Sequence, residues 1–188
     1  MMQRNSHGAW RPLAFSLIWL GVAARLIPHP PNFAPVGATG IFAGARLRGW
    51  QAFLVPLLAM ALSDPLLAAL HGFPAFSRGT PFIYGSFLLN VVIGRWLRTT
   101  EHPLRIGAAA LLGSAQFFLI TNFAVWFLGH RFPHDPMGLL ACYLFALPFF
   151  APTVAGDLFF AGILFGAHAW LSRRVFSRER TQAMAARA

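Results

Sequence analysis

The stretch Trp50–Leu70, WQAFLVPLLAMALSDPLLAAL, reads as a membrane-spanning helix with a carboxylate inside it. A helix needs about 20 apolar residues to cross the hydrocarbon core, and this run supplies them around Asp64. A charge at the bilayer centre costs about 2.5–3.5 kcal/mol on insertion scales, so an acid here implies a task that offsets the cost. A second acid, Asp157, lies in the comparable stretch Pro152–Leu171, PTVAGDLFFAGILFGAHAWL, and the chain has only five acids in all. Two explanations stand for both residues: a functional site, or a packing role in which the carboxylate caps a broken helix or pairs with a neighbour.

Outside these runs the composition is equally apolar. The 188 residues are 57% hydrophobic and 11% charged, with mean hydropathy +0.59, far from soluble averages. The fold class expected is an all-α integral membrane protein, with residues 1–188 forming a single membrane domain and no separate catalytic domain. The net charge is +10, and all 15 basic residues are arginine. They gather at span ends and in short loops, which is the mark of membrane topology rather than of a nucleic-acid footprint. A single cysteine, Cys142, excludes an intrachain disulfide and any CxxC motif. Arg4 and Arg11 precede the apolar run Leu13–Ala24, which ends in small residues like a secretory signal. That run continues into Arg25 and the loop RLIPHPPNF, so it is read as a first span.

The partition predicts six spans, at about residues 12–27, 32–45, 50–70, 81–97, 104–128 and 152–171, with a basic cytoplasmic tail over 172–188. The apolar segment 137–149 is short and flanked by prolines, and is predicted to be a re-entrant or interfacial helix. The second span is short and rich in Gly and Pro, so it is expected to pack against protein. With the N-terminus inside, only Arg25, Arg78 and Arg131 of the 15 arginines fall outside. The positive-inside rule therefore places both termini in the cytoplasm.

This topology puts Asp64 in the outer part of the third span and Asp157 in the outer third of the sixth. Tyr84, Thr121 and Asn122 fall at similar depth, and Asn90 deeper. Outer loops add His29, Asn32, His71, His130 and His134. Polar groups from several spans thus converge on the outer half, which predicts a pocket open to the outside. The pairs Gly40/Gly44 and Gly162/Gly166 are small-xxx-small faces suited to helix packing. Pro65 removes a helical donor directly after Asp64 and crowds the carbonyl of Ala61, so a broken helix is expected there. Gly156-Asp157 is a second candidate irregularity, with a carboxylate at a helix N-terminus as the alternative.

Other chemistry has little support. His130 and His134 have i, i+4 spacing, but Pro133 interrupts it and no HExxH is present; no metal is expected. LLGSAQ lacks the GxSxG elbow, no Walker A motif occurs, and no cofactor or catalytic residue is assigned. Phe117, Phe118, Phe123 and Trp126 serve packing, or wall a pocket for a flat organic ligand.

The strings RLIPHPPNFAPVGATGIFAGA (Arg25–Ala45), FLVPLLAMALSD (Phe53–Asp64), FIYGSF (Phe82–Phe87), FFLITNFAVW (Phe117–Trp126), LLACYLFALPFF (Leu139–Phe150) and GDLFFAGILFG (Gly156–Gly166) resemble a bacterial family of small membrane proteins of unknown function. That family in turn resembles the substrate-binding S-components of energy-coupling-factor vitamin transporters, in particular the solitary cobalamin-type members. The resemblance implies a six-helix bundle that takes a vitamin-like molecule from the outer side, alone or with an ATPase coupling module. Some of the cobalamin-type members resemble one another in placing a cysteine where it can ligate cobalt. Here Cys142 lies in the proline-flanked segment instead, and His71–Thr80 has none. The expected ligand-binding residues are Asp64, Tyr84, Asn122 and Asp157, with His29, Asn32 and His71 at the mouth. A proton- or ion-coupled solute transporter, with Asp64 or Asp157 exchanging protons, is the alternative. A structural or assembly protein is a third.

Overall fold

The computed structural model describes the backbone of residues 10–28, 30–72 and 74–185, and the side chains of 13–28, 30–72 and 74–173. Six helices follow one another: α1 (Trp10–Leu26), α2 (Val36–Arg46), α3 (Gln51–His71), α4 (Thr80–Arg95), α5 (Pro103–Leu128) and α6 (Pro136–Ala185). No strand occurs among the described residues. Three segments are long and apolar enough to cross a membrane, Gln51–His71, Pro103–Leu128 and Pro136–Arg173, which is compatible with a membrane protein.

The shortest helix organises the others. α2 has 11 residues, all buried from Val36 to Ala45, and it packs against each of the other five helices. At 1.5 Å per residue it is about 16 Å long, roughly half a membrane crossing. Its sequence, VGATGIFAGAR, explains the central position, because small residues let neighbouring backbones come close. A Cβ at Gly44 would lie 2.0 Å from the Val91 carbonyl oxygen, and one at Gly94 equally near that of Ile41. α2 and α4 therefore cross backbone to backbone. Gly40 joins the same crossing, with Phe87 O at 3.3 Å from the corresponding position. Gly162 and Gly166 differ: nothing lies within 4 Å of a Cβ added at either, so that face meets no other described part of the chain.

Residues 27–28 and 30–35 are not helical. A turn closes there with Phe33 N donating to Pro30 O, and Asn32 lies in the left-handed region (φ 64°) that Asn tolerates better than most residues. The chain then runs past α6, where Gly156 leaves room for the backbone of Phe33 and Ala34. The predicted second span, 32–45, is thus a helix only from Val36.

Two predicted irregularities are regular in the structure. α3 continues through Pro56 and Pro65, so the helix is not broken beside Asp64; neighbouring side chains and backbone re-satisfy freed groups in such helices. Segment 137–149 is not a separate re-entrant helix. It is the first part of the 50-residue α6, which runs through Pro148 and Pro152 alongside α5. Tyr143 donates to Leu119 O at 2.8 Å and Phe118 packs on Phe150 at 4.9 Å, so α5 supports α6 across both prolines. The parity of helices is unchanged, but the depth of Asp157 is not. It lies opposite Ser114, near the middle of α5, rather than at an outer end.

At the end of the bundle away from His71, polar groups fasten the helix ends. Arg46 donates to the carbonyls of Leu97 and Thr100 and lies 3.6 Å from Glu101. His168 of α6 approaches the same carboxylate at 3.7 Å.

Candidate functional site

Between α1, α3, α4, α6 and the described residues of the α1–α2 connection, among them Ile27, Pro28, Pro31, Asn32 and Ala34, lies a cavity of about 790 Å³, within the range of small-molecule sites. Helical periodicity decides which side chains line it. α3 contributes Met60, Asp64, Leu67 and His71, spaced at 3–4 residues and so on one face. α4 contributes Thr80, Ile83, Tyr84, Phe87 and Asn90 by the same rule. The two helices are antiparallel, so His71 and Thr80 lie at the rim, and Met60 and Asn90 at the floor. Phe117 of α5, Thr153 and Asp157 of α6, and Gly37 of α2 complete the inner wall.

One polar group joins three helices. Arg25, at the end of α1, pairs with Asp64 of α3 at 2.7 Å and also donates to Ser63. Tyr84 of α4 donates to the other Asp64 oxygen at 2.7 Å. Ser63 in turn donates to Ala59 O at 2.6 Å. The side chains of Arg25 and Asp64 keep 17% and 12% of their surface accessible, on the cavity side where both are lining residues. An ion pair in an apolar bundle needs such additional hydrogen bonds to offset desolvation, and Ser63 and Tyr84 supply them.

Asp157 is held differently. It is buried, accepts from Ser114 Oγ at 2.7 Å, and accepts from the backbone N–H of Ala38. Its carboxylate sits so close to Gly37 that a Cβ there would lie 2.2 Å from Oδ1. Val36, Gly37 and Ala38 form the first turn of α2, whose N-cap, Pro35, offers no side-chain acceptor. The first N–H groups of a helix have no intrahelical partner and carry a partial positive charge. Asp157 therefore caps a half-helix in mid-bundle from a neighbouring element. The carboxylate is a cap and also part of the cavity wall.

Asn90, at the floor, meets a second amide behind it. Gln116 Nε2 donates to the carbonyls of Ser86 and Gly113 and to Asn90 Oδ1, at 2.9, 3.1 and 2.9 Å. Asn90 is 1% exposed, and its Nδ2 has no partner; Gln116 Oε1 is likewise buried and unpaired.

Of the residues expected to bind a ligand, Asp64, Tyr84, Asp157, Asn32 and His71 all line this cavity. Asn122 does not. It donates to Phe118 O, and its own carbonyl accepts from Cys142 at 3.5 Å. Five residues beyond Phe117 it lies about 140° further round α5, facing the α6 side. His29 lies outside the described residues. Of the aromatic cluster only Phe117 lines the cavity; Phe118, Phe123 and Trp126 pack elsewhere on aromatic neighbours. His134 is engaged with Trp126 O at 2.8 Å. Arg25, Ser63, Ser114 and Gln116 were not singled out as site residues from the sequence. Arg25 carried a signal, since an intramembrane acid tends to pair and few arginines lie near that end of the bundle.

A model of the DUF6580 family, described as a family of unknown function, matches residues 7–183. The chain belongs to that family. The match takes in every cavity residue of this DUF6580 member. No curated protein matches it, and no solved structure does.

Proposed function

We propose that the chain is a multi-pass protein of the bacterial cytoplasmic membrane, with both termini inside, that captures a vitamin-like small molecule from the outer side in this cavity. The observation that carries the reading is the cavity of about 790 Å³ with paired charges in its wall and a half-helix N-terminus at its inner end. Many transporters build solute sites at such discontinuous helices, and non-helical backbone at membrane depth is tolerated where it lines a cavity. The distribution of surface supports the setting. Large apolar side chains such as Trp19, Leu62, Leu119, Phe145 and Ile163 face outwards, while Thr39, Ser63, Ser86, Asn90, Ser114 and Asp157 are buried. The arginine asymmetry supports the orientation.

The volume favours a compact ligand over a whole corrinoid, which exceeds the drug-sized molecules such cavities enclose. Capture is the step assigned here, whether the protein works alone or with an ATPase coupling module. Purified full-length chain titrated calorimetrically with a vitamin panel, cobalamin included, tests the reading. Saturable 1:1 binding of at least one member is expected, and binding of none overturns it.

A proton- or ion-coupled solute transporter is the second reading. Its specific support is a buried Asp157 with no basic partner among the described residues. Solute transport that survives Asp→Asn changes at both Asp64 and Asp157 excludes it.

A further inference from the structure

The cavity floor carries an unmet donor whose direction is set by its surroundings. Gln116 Nε2 faces two backbone carbonyls, Ser86 O and Gly113 O, which accept only. That fixes the Gln116 amide, and Asn90 must then turn its oxygen towards Nε2. The Asn90 NH2 is left on the opposite edge, buried and unpartnered, on a residue that forms part of the cavity wall. A buried polar group without a partner costs roughly what a lost hydrogen bond does, so this donor calls for an acceptor.

Asp157 lies close by. A Cβ at Gly37 would touch Asp157, and one at Gly40 would touch Asn90. The two side chains thus stand about one turn, roughly 5 Å, apart along α2. They also meet adjacent residues of α5, Ser114 and Gly113. Asp157 offers only acceptor sites, and its partners, Ser114 and Ala38 N–H, do not exhaust the roughly four of a carboxylate. No cation balances it among the described residues, whereas Arg25 balances Asp64. Asn90 and Asp157 both line the cavity, one with a buried amide donor that has no partner and the other with acceptor sites to spare. Beside them Phe87 and Phe117, with ring centroids 5.0 Å apart, both line the cavity and offer aromatic surface to a flat or cationic group.

We propose that the ligand is an aromatic nitrogen heterocycle that lies against Phe87 and Phe117, accepts a hydrogen bond from Asn90 Nδ2, and presents an N–H or a cationic nitrogen to Asp157. This rests on the capture reading above and names the ligand class within it. Affinity then depends on ring chemistry more than on size, and sugars, aliphatic acids and saturated rings are poor ligands.

The test is calorimetric titration of the purified full-length chain with thiamine, pyridoxine and riboflavin on one side, and biotin and pantothenate on the other. Binding of at least one heteroaromatic vitamin, tenfold or more tighter than biotin and pantothenate, is expected. Preference for biotin or pantothenate, or binding of none of the five, overturns the ring assignment and leaves the capture reading intact; binding of none when cobalamin is added to the panel overturns both. Asn90→Asp, which replaces the donor by an acceptor, is expected to weaken the heteroaromatic ligand at least tenfold. Because that variant disturbs the Gln116 contact, the same point is read on the wild-type chain with 2-aminopyrimidine and aniline, which differ in the ring acceptors. Aminopyrimidine is expected to displace the bound vitamin at least tenfold more effectively, and equal displacement overturns the role of Asn90.

Discussion

Arg25 and Asp64 neutralise each other across 39 residues of chain, and neither is comfortable in an apolar bundle alone. Removing one partner of a buried ion pair typically costs about 3–5 kcal/mol, because the other charge is left unpaired. This pair is partly open to the cavity, so the lower end of that range applies. Asp64→Asn is expected to lower the unfolding midpoint in detergent, while Arg25→Met combined with Asp64→Leu recovers most of the loss. A double variant no more stable than the single one would count against the pairing. Asp157→Ala removes the cap of α2 and the acceptor of Ser114. Loss of a cap costs about 0.5–2 kcal/mol, so a larger destabilisation than for Ser114→Ala is expected in the same melt. Both acids were legible in the sequence as isolated charges in apolar runs. Their partners were not, because pairing across α1, α3 and α4, or between α6 and the start of α2, depends on packing that no local pattern records.

Between elements, the account depends on the closeness of α2 to α4. Gly44→Ala and Gly94→Ala place a methyl about 2.0 Å from a backbone carbonyl oxygen, which no side-chain adjustment relieves. Overpacking of this kind costs about 1–3 kcal/mol or more. Gly162→Ala meets open space and is expected to leave the melt within about 0.5 kcal/mol. The contrast is read by thermal unfolding of the three variants side by side. The sequence showed four comparable glycines, Gly40, Gly44, Gly162 and Gly166, and nothing in their spacing separated the pair against a backbone from the pair facing outwards. Helix limits were legible where polar loops bound them, as at Gln51–His71 and Pro103–Leu128. They misled at prolines. Pro148 and Pro152 suggested a boundary that α5 packing removes, whereas residues 30–35, partly assigned to a span, are not helical.

Among the described residues, polar side chains such as Ser63, Asn90, Ser114 and Asp157 are buried while many large apolar ones are exposed, and Arg46, Arg48, Arg95, Arg98 and Arg105 lie at the helix ends opposite His71. In a chain with Cys142 replaced by Ala, a single cysteine at Ser77 is expected to react with an impermeant thiol reagent in intact cells. One at Thr99 reacts only after permeabilisation. The reverse pattern would invert the proposed orientation and move the cavity rim to the cytoplasmic side. The all-helical fold followed from hydropathy, and the meeting of Asp64 with Tyr84 from their similar place along neighbouring helices. The place of Asp157 at mid-bundle, and the exclusion of Asn122, needed the continuous α6 and the rotation of α5 around its axis. The central claim is that the cavity takes a small molecule, and the direct test is calorimetric binding of a vitamin panel to the full-length chain and to Thr153→Trp, which fills the cavity from α6. Saturable 1:1 binding to the wild-type chain and its loss in Thr153→Trp is the expected result; no binding to the wild-type chain, or binding unchanged by the tryptophan, would contradict it.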